Sequence, residues 1–148
     1  MTNDLSSKIN SLVEKYGETS VRRTLDGLTE LASESTCTII INKGIHSFPD
    51  SLLVGEVYIF SDTSVPMESG LAIERWIVTR IKKLKKFLMK KKWSKVYLLI
   101  SGHAAVCMQV KLAVYRVTHI ETIDLAFDGK GNYLPVSIPM RKILTSVE

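Results

Sequence analysis

Three short apolar runs, at 37–41, 57–60 and 96–100, with a fourth strand-like stretch at 120–127, constrain this chain more than any other feature. They are nearly continuous rather than alternating, the pattern of strands buried on both faces of a parallel sheet, and parallel neighbours need long crossovers between them. Between the second and third runs, Ile73, Ile77, Ile81, Leu84 and Leu88 recur every three or four residues, with Trp76 and Phe87 widening the stripe. This spacing predicts an amphipathic helix over about 70–93. A second helical stretch, 104–117, follows the third run. The turn from Asp128 to Gly131 lets 133–138 return as the partner of a hairpin. Ahead of the sheet, Leu5, Ile9, Leu12, Val13 and Tyr16, then Val21, Leu25, Leu28 and Ala32 beyond Gly17, read as two helices. The expected fold is α/β: a Rossmann-like three-layer domain over 34–148, with a mostly parallel sheet and a C-terminal β-hairpin, and an N-terminal helical pair over 1–33.

At 148 residues, such a domain buries enough apolar surface to fold without disulfides or metals. Cys37 and Cys107 are far apart, in no CxxC spacing and in apolar surroundings, and read as reduced core residues. The first seven residues contain Asp4 and no apolar run, so no signal peptide is expected; the longest apolar stretch is too short for a bilayer, and a cytoplasmic protein with no membrane contact is expected. Charge is unevenly placed. Ten cations and no acid lie between Arg75 and Lys95, half of the 20 Lys and Arg in the chain, so the remainder carries ten cations against 15 acids. The cluster Arg80, Lys82, Lys83, Lys85, Lys86, Lys90, Lys91 and Lys92 reads three ways: a solvated face, a contact for nucleic acid or another polyanion, or a face for a membrane or a partner protein.

Ligands of open α/β sheets bind where strands end at their carboxyl edge, because loops and helix N-termini converge there. Four groups qualify: Asn42, Lys43 and Gly44; Ser61, Asp62 and Thr63; Ser101, Gly102 and His103; and the turn from Asp128 to Tyr133. In the third group, Gly102 permits close backbone approach, the following helix start offers free N–H groups to a phosphate, and Ser101 or His103 could touch the same anion. The alternative there is a plain cap and turn. His46 sits in a loop with Ser47, Phe48 and Pro49, where ligand ordering and loop packing are equally open. Asn132 could read a base edge and Tyr133 could stack on it, while Lys43 and Lys130 are cations at strand ends. Neither G-x-G-x-x-G nor G-x-x-x-x-G-K-[ST] occurs, which counts against a standard dinucleotide or triphosphate site. His46, His103 and His119 lack metal-ligand spacing; no metal and no cofactor are expected. His119 reads as a cap or solvated residue.

The stretch 96–139, VYLLISGHAAVCMQVKLAVYRVTHIETIDLAFDGKGNYLPVSIP, resembles the carboxyl half of the CARF and SAVED families, Rossmann-like sensors of cyclic oligonucleotides in CRISPR and related antiphage systems. The likeness lies in a strand ending at Ser101 and Gly102, a helix beneath it, a strand ending near Asp128 and a GNYLPV return. The long lysine helix and the N-terminal pair are not standard parts of those families. The resemblance implies binding of a cyclic oligoadenylate or a related ring, typically across a homodimer axis. With no room here for a separate effector, it points to a ring nuclease, in which a ribose 2′-OH attacks the neighbouring phosphate without a metal. His103 would then act as acid or base, Lys43 and Lys130 as charge stabilisers, and Ser101 with the Gly102 backbone as phosphate cradle. A sensor or sponge without catalysis, an adaptor working through its lysines, and an enzyme acting on a mononucleotide are the alternatives.

Overall fold

The computed structural model describes residues 2–32, 35–44 and 47–146, with 2, 3 and 27–32 described by backbone alone. Two compact units result, Met1–Glu34 and Ser35–Glu148. The first contains helices α1 (Thr2–Tyr16) and α2 (Glu18–Ala32). Gly17 joins them, its N–H on the Val13 carbonyl and its own carbonyl taking the Val21 N–H. Lys8 with Asp4 and Arg22 with Glu18 form exposed pairs four residues apart, each worth a few tenths of a kcal/mol.

The second unit is a Rossmann-like α/β arrangement built on one five-stranded sheet, in the order β2-β1-β3-β4-β5. Its strands are β1 (Thr36–Asn42), β2 (Glu56–Ser61), β3 (Lys95–Leu99), β4 (Ile123–Phe127) and β5 (Tyr133–Val136). The first four are parallel, and β5 returns antiparallel with Tyr133 opposite Phe127. Helices α3 (Gly70–Leu88) and α4 (Ala104–Thr118) make the crossovers into β3 and β4.

Alternate residues sort to the two faces. Ile39, Ile41, Val96 and Leu98 pack with Leu84, Phe87 and Leu88 of α3 and with Val106, Val110 and Val114 of α4, all buried. Truncating one of these, such as Leu84→Ala, would cost about 2–5 kcal/mol. Ile40, Leu99 and Leu125 point the other way, toward Phe48, Leu52, Leu53, Tyr97 and Tyr133. Both long helices thus share one face. On the opposite face this unit supplies the β1–β2 connection, with a single 3-10 turn at Asp50–Leu52, in place of the helical layer expected there. Thr38 anchors that connection: its hydroxyl donates to the Val54 carbonyl at 2.7 Å and accepts the Val54 N–H at 3.1 Å. The step from β1 to β2 runs one way along the sheet, and the later crossovers run the other way on the other face. All three therefore share one hand, and the chain reverses direction between β1 and β3.

Several boundaries move for local reasons. α3 stops at Leu88, short of 93, because Trp93 folds back: its indole N–H caps the Leu88 carbonyl at 3.0 Å and its ring stacks on Phe87. α4 ends in His119, a left-handed cap with φ 58° whose N–H reaches the Tyr115 carbonyl. β4 begins at Ile123 rather than 120, since the Ile120 N–H is taken by the Thr118 hydroxyl and the Thr122 hydroxyl by Asp124. The tail forms a short helix α5 (Met140–Thr145), which the pattern did not reveal.

Candidate functional site

The reversal between β1 and β3 opens a crevice at the carboxyl ends of the strands, and Asn42 is its hub. Asn42 N–H donates to Ser101 Oγ and Ser101 Oγ donates back to the Asn42 carbonyl, both at 3.0 Å and both buried. The Asn42 side chain reaches two further loops: Nδ2 donates to the Thr63 carbonyl at 3.2 Å, and Oδ1 accepts the Gly44 N–H at 2.8 Å. The Lys43 N–H donates to the Ser61 carbonyl, and the Ser61 hydroxyl donates to the Thr63 carbonyl while accepting the Thr63 N–H. The ends of three strands are therefore tied through one amide and two hydroxyls.

Around this hub lies a cleft of about 300 Å³, lined by Asn42, Gly44, Asp62, Thr63, Ser64, Val65, Met67 and His103. Gly44 is required by space, because a Cβ there would stand 2.7 Å from the Asp62 carbonyl oxygen. Gly102 is required by conformation, with φ 86°, where an L side chain is strained. His103 forms the N-cap of α4: its Nδ1 accepts the Ala105 N–H at 3.3 Å, which puts the ring proton on Nε2 as a donor. Arg80 of α3 reaches the same loop, donating to Thr63 Oγ1 at 3.3 Å while its guanidinium lies 4.0 Å over the Trp76 ring. The cleft thus has hydroxyl and amide groups, one acid, one imidazole, an apolar wall from Val65 and Met67, and a stacked guanidinium at its margin.

The strand-end residues do not all converge there. Lys43 lines a neighbouring crevice of about 500 Å³ on the opposite face, with Ile40, Ser47, Phe48, Asp50, Leu53, Val57 and Ile59; Gly44 borders both. Ser101 sits beneath the cleft, with its one donor committed to Asn42. The turn after β4 is self-contained. Asp128 Oδ1 accepts the N–H groups of Lys130 and Asn132, and Oδ2 accepts one N–H of the Asn132 side-chain amide. The Asn132 amide above all, and then those N–H groups, hold the Asp128 carboxyl below its ordinary range. Tyr133 packs edge-on to Phe48 and against Phe127. His46 lies outside the described residues. Among those described, no three His, Cys, Asp or Glu side chains gather as metal ligands would, and no helix is long and apolar enough to cross a membrane.

Sequence reasoning missed Ser64, Val65 and Met67 as cleft residues and Arg80 at its margin. The signals available were the Trp76–Arg80 spacing of one helical turn and the length of the loop after β2, which extends well past Thr63.

Comparison with protein-family models, curated proteins and solved structures finds no match for this chain. The cleft itself is what bears on function.

Proposed function

We propose that the cleft between the ends of β1 and β3 binds a phosphate-bearing nucleotide, and specifically one unit of a cyclic oligonucleotide such as a cyclic oligoadenylate. The observation that carries this reading is the Asn42 hub at the chain-reversal point, which brings Gly44, Thr63 and His103 at the α4 start to one space, with Arg80 reaching Thr63 at its margin. An N-terminal helix end and a guanidinium suit phosphate, and the Val65 and Met67 wall suits a ribose or base edge. At about 300 Å³ the cleft is at the small end of ligand sites, so a whole ring would extend beyond it, toward a second copy of the chain. The resemblance of 96–139 to CARF and SAVED proteins supports the ring as ligand.

The geometry favours binding over cleavage. Ser101 is committed to Asn42, Lys43 faces the neighbouring crevice and Lys130 belongs to the turn after β4, which leaves His103 as the one side chain of the expected ring-nuclease set that lines the cleft. Calorimetric titration with cyclic tri-, tetra- and hexa-adenylate tests the reading. Saturable binding of one ring, weakened about tenfold or more by Gly44→Ala, is the expected result; no binding of any ring would sink it. Chromatography of the incubated ring, with and without EDTA, decides cleavage: a linear product lost in His103→Ala would restore the ring-nuclease assignment.

A further inference from the structure

We propose that the exposed cationic face of α3 is a second binding surface, one that takes the phosphate backbone of a nucleic-acid duplex. Arg75, Lys82 and Lys86 fall on one line along the helix, about 16 Å long, and Lys83 and Lys85 flank it on either side. All five are exposed. Two other lysines of the cluster serve the fold, since Lys91 pairs with Glu56 at 2.9 Å and sits over Trp93, and Lys90 sits over the Phe87 ring. Among the described residues, Lys82, Lys83, Lys85 and Lys86 have no carboxylate at ion-pair distance. Like charges three and four residues apart repel within a helix, so this array costs the free protein stability that mixed charges would not. A polyanion removes that cost.

Two observations choose the partner. The apolar stripe of α3 is spent in the core, and the exposed apolar residues Leu71 and Val78, with Met89 at its C-cap, are seven and eleven positions apart, too sparse for the continuous apolar face that seats a helix in a bilayer. The aromatic residues of this region, Trp76, Phe87 and Trp93, are packed against the core, so none is free to stack on unpaired bases. What remains is a rigid row of point charges, which suits duplex phosphates without sequence preference. The lysine end of this surface leads away from the cleft. α3 runs back across the sheet from the strands' carboxyl edge, and the pairing of Lys91 with Glu56, the first residue of β2, puts the lysine end at the opposite edge.

Fluorescence anisotropy with a labelled DNA duplex of arbitrary sequence tests the proposal across a salt series. With four lysine contacts, the logarithm of the binding constant should fall with the logarithm of salt at a slope near −3.6, about 100-fold over a fourfold rise in salt. The variant carrying Lys82→Gln, Lys83→Gln, Lys85→Gln and Lys86→Gln should lose binding about 100-fold or more at low salt, with an unchanged or raised melting temperature and unchanged affinity for any cyclic ring. Absence of duplex binding at low salt, equal binding by the variant, or capture by phosphatidylserine vesicles without duplex binding would each overturn it.

Discussion

Ser101 Oγ holds both main-chain groups of Asn42, accepting its N–H and donating to its carbonyl at 3.0 Å, across a sequence separation of 59 residues. This small clasp closes the ladder between β1 and β3 beyond its last paired residues, Ile40 and Leu99, and both partners are buried. Ser101→Ala would strand a donor and an acceptor away from water, at about 2–3 kcal/mol. The expected outcome in a thermal melt is a midpoint lower by roughly 5–10 °C. Ring affinity should fall with it, because the cleft rests on the same clasp. A melt indistinguishable from wild type would mean that the clasp contributes nothing.

Arg80 joins the helical layer to the cleft by stacking on Trp76 while donating to Thr63. Lysine keeps the charge but neither the planar stack nor the fork of donors. Arg80→Lys and Arg80→Ala should therefore weaken ring binding alike, by about tenfold, with a stability loss near the ~0.5–1 kcal/mol of an exposed cation–π contact. Calorimetry beside urea unfolding separates the two effects; a lysine variant that binds like wild type would remove Arg80 from the site.

The elements were legible because burial writes itself into composition. The run at 37–41 has no charge and only Thr38 among apolar residues, so it had to be a strand covered on both faces, and the helical spacing from Ile73 to Leu88 had to turn one side inward. What escaped notice depends on which partner a side chain finds once folded. A tryptophan after a lysine run gives no sign that it will cap Leu88, and nothing local to Ser101 tells a phosphate cradle from a clasp on a strand 59 residues away. The turn shows the converse. Asp128 and Asn132 were visible as turn formers, and the same local geometry that makes the turn ties one N–H of the amide proposed for a ligand. The strand-end rule located the cleft, and hydrogen bonding decided which strand-end residues face it.

That turn gives a prediction in acid. Asp128 is partly exposed, and its carboxyl lies below the ordinary range because the Asn132 amide and two backbone N–H groups favour the charged form. A depressed pKa means that the folded turn binds a proton less readily than the unfolded chain. Its contribution is present above the ordinary carboxylate range and is lost as pH falls through the depressed value. Titration by NMR should place Asp128 below 3.8, the value for an unperturbed side chain. Asp128→Ala should loosen the turn, seen as faster amide exchange at Lys130 and Asn132, and its difference from wild type should close in acid. A normal Asp128 titration would contradict this.

Cys37 supplies the alkaline counterpart. Its thiol lies at the base of β1 with no exposed surface, and its pKa is pushed up to about 12, first by burial and then by the Glu56 carboxylate, with Lys91 acting in the opposite sense. Burial likewise raises the Cys107 thiol. A raised pKa means that the folded state keeps a proton the unfolded chain gives up. The contribution is whole below the unfolded value and drains away as pH rises from about 9 toward 12. Stability measured by urea should therefore decline across that window, and Cys37→Ala should flatten the decline while lowering stability at neutral pH. Neither thiol should react with Ellman's reagent in the native protein at mildly alkaline pH, and both should react once it is unfolded, since the thiolate is the reactive form and neither group is accessible. Rapid labelling of the native protein would show that β1 opens far more readily than its packing implies.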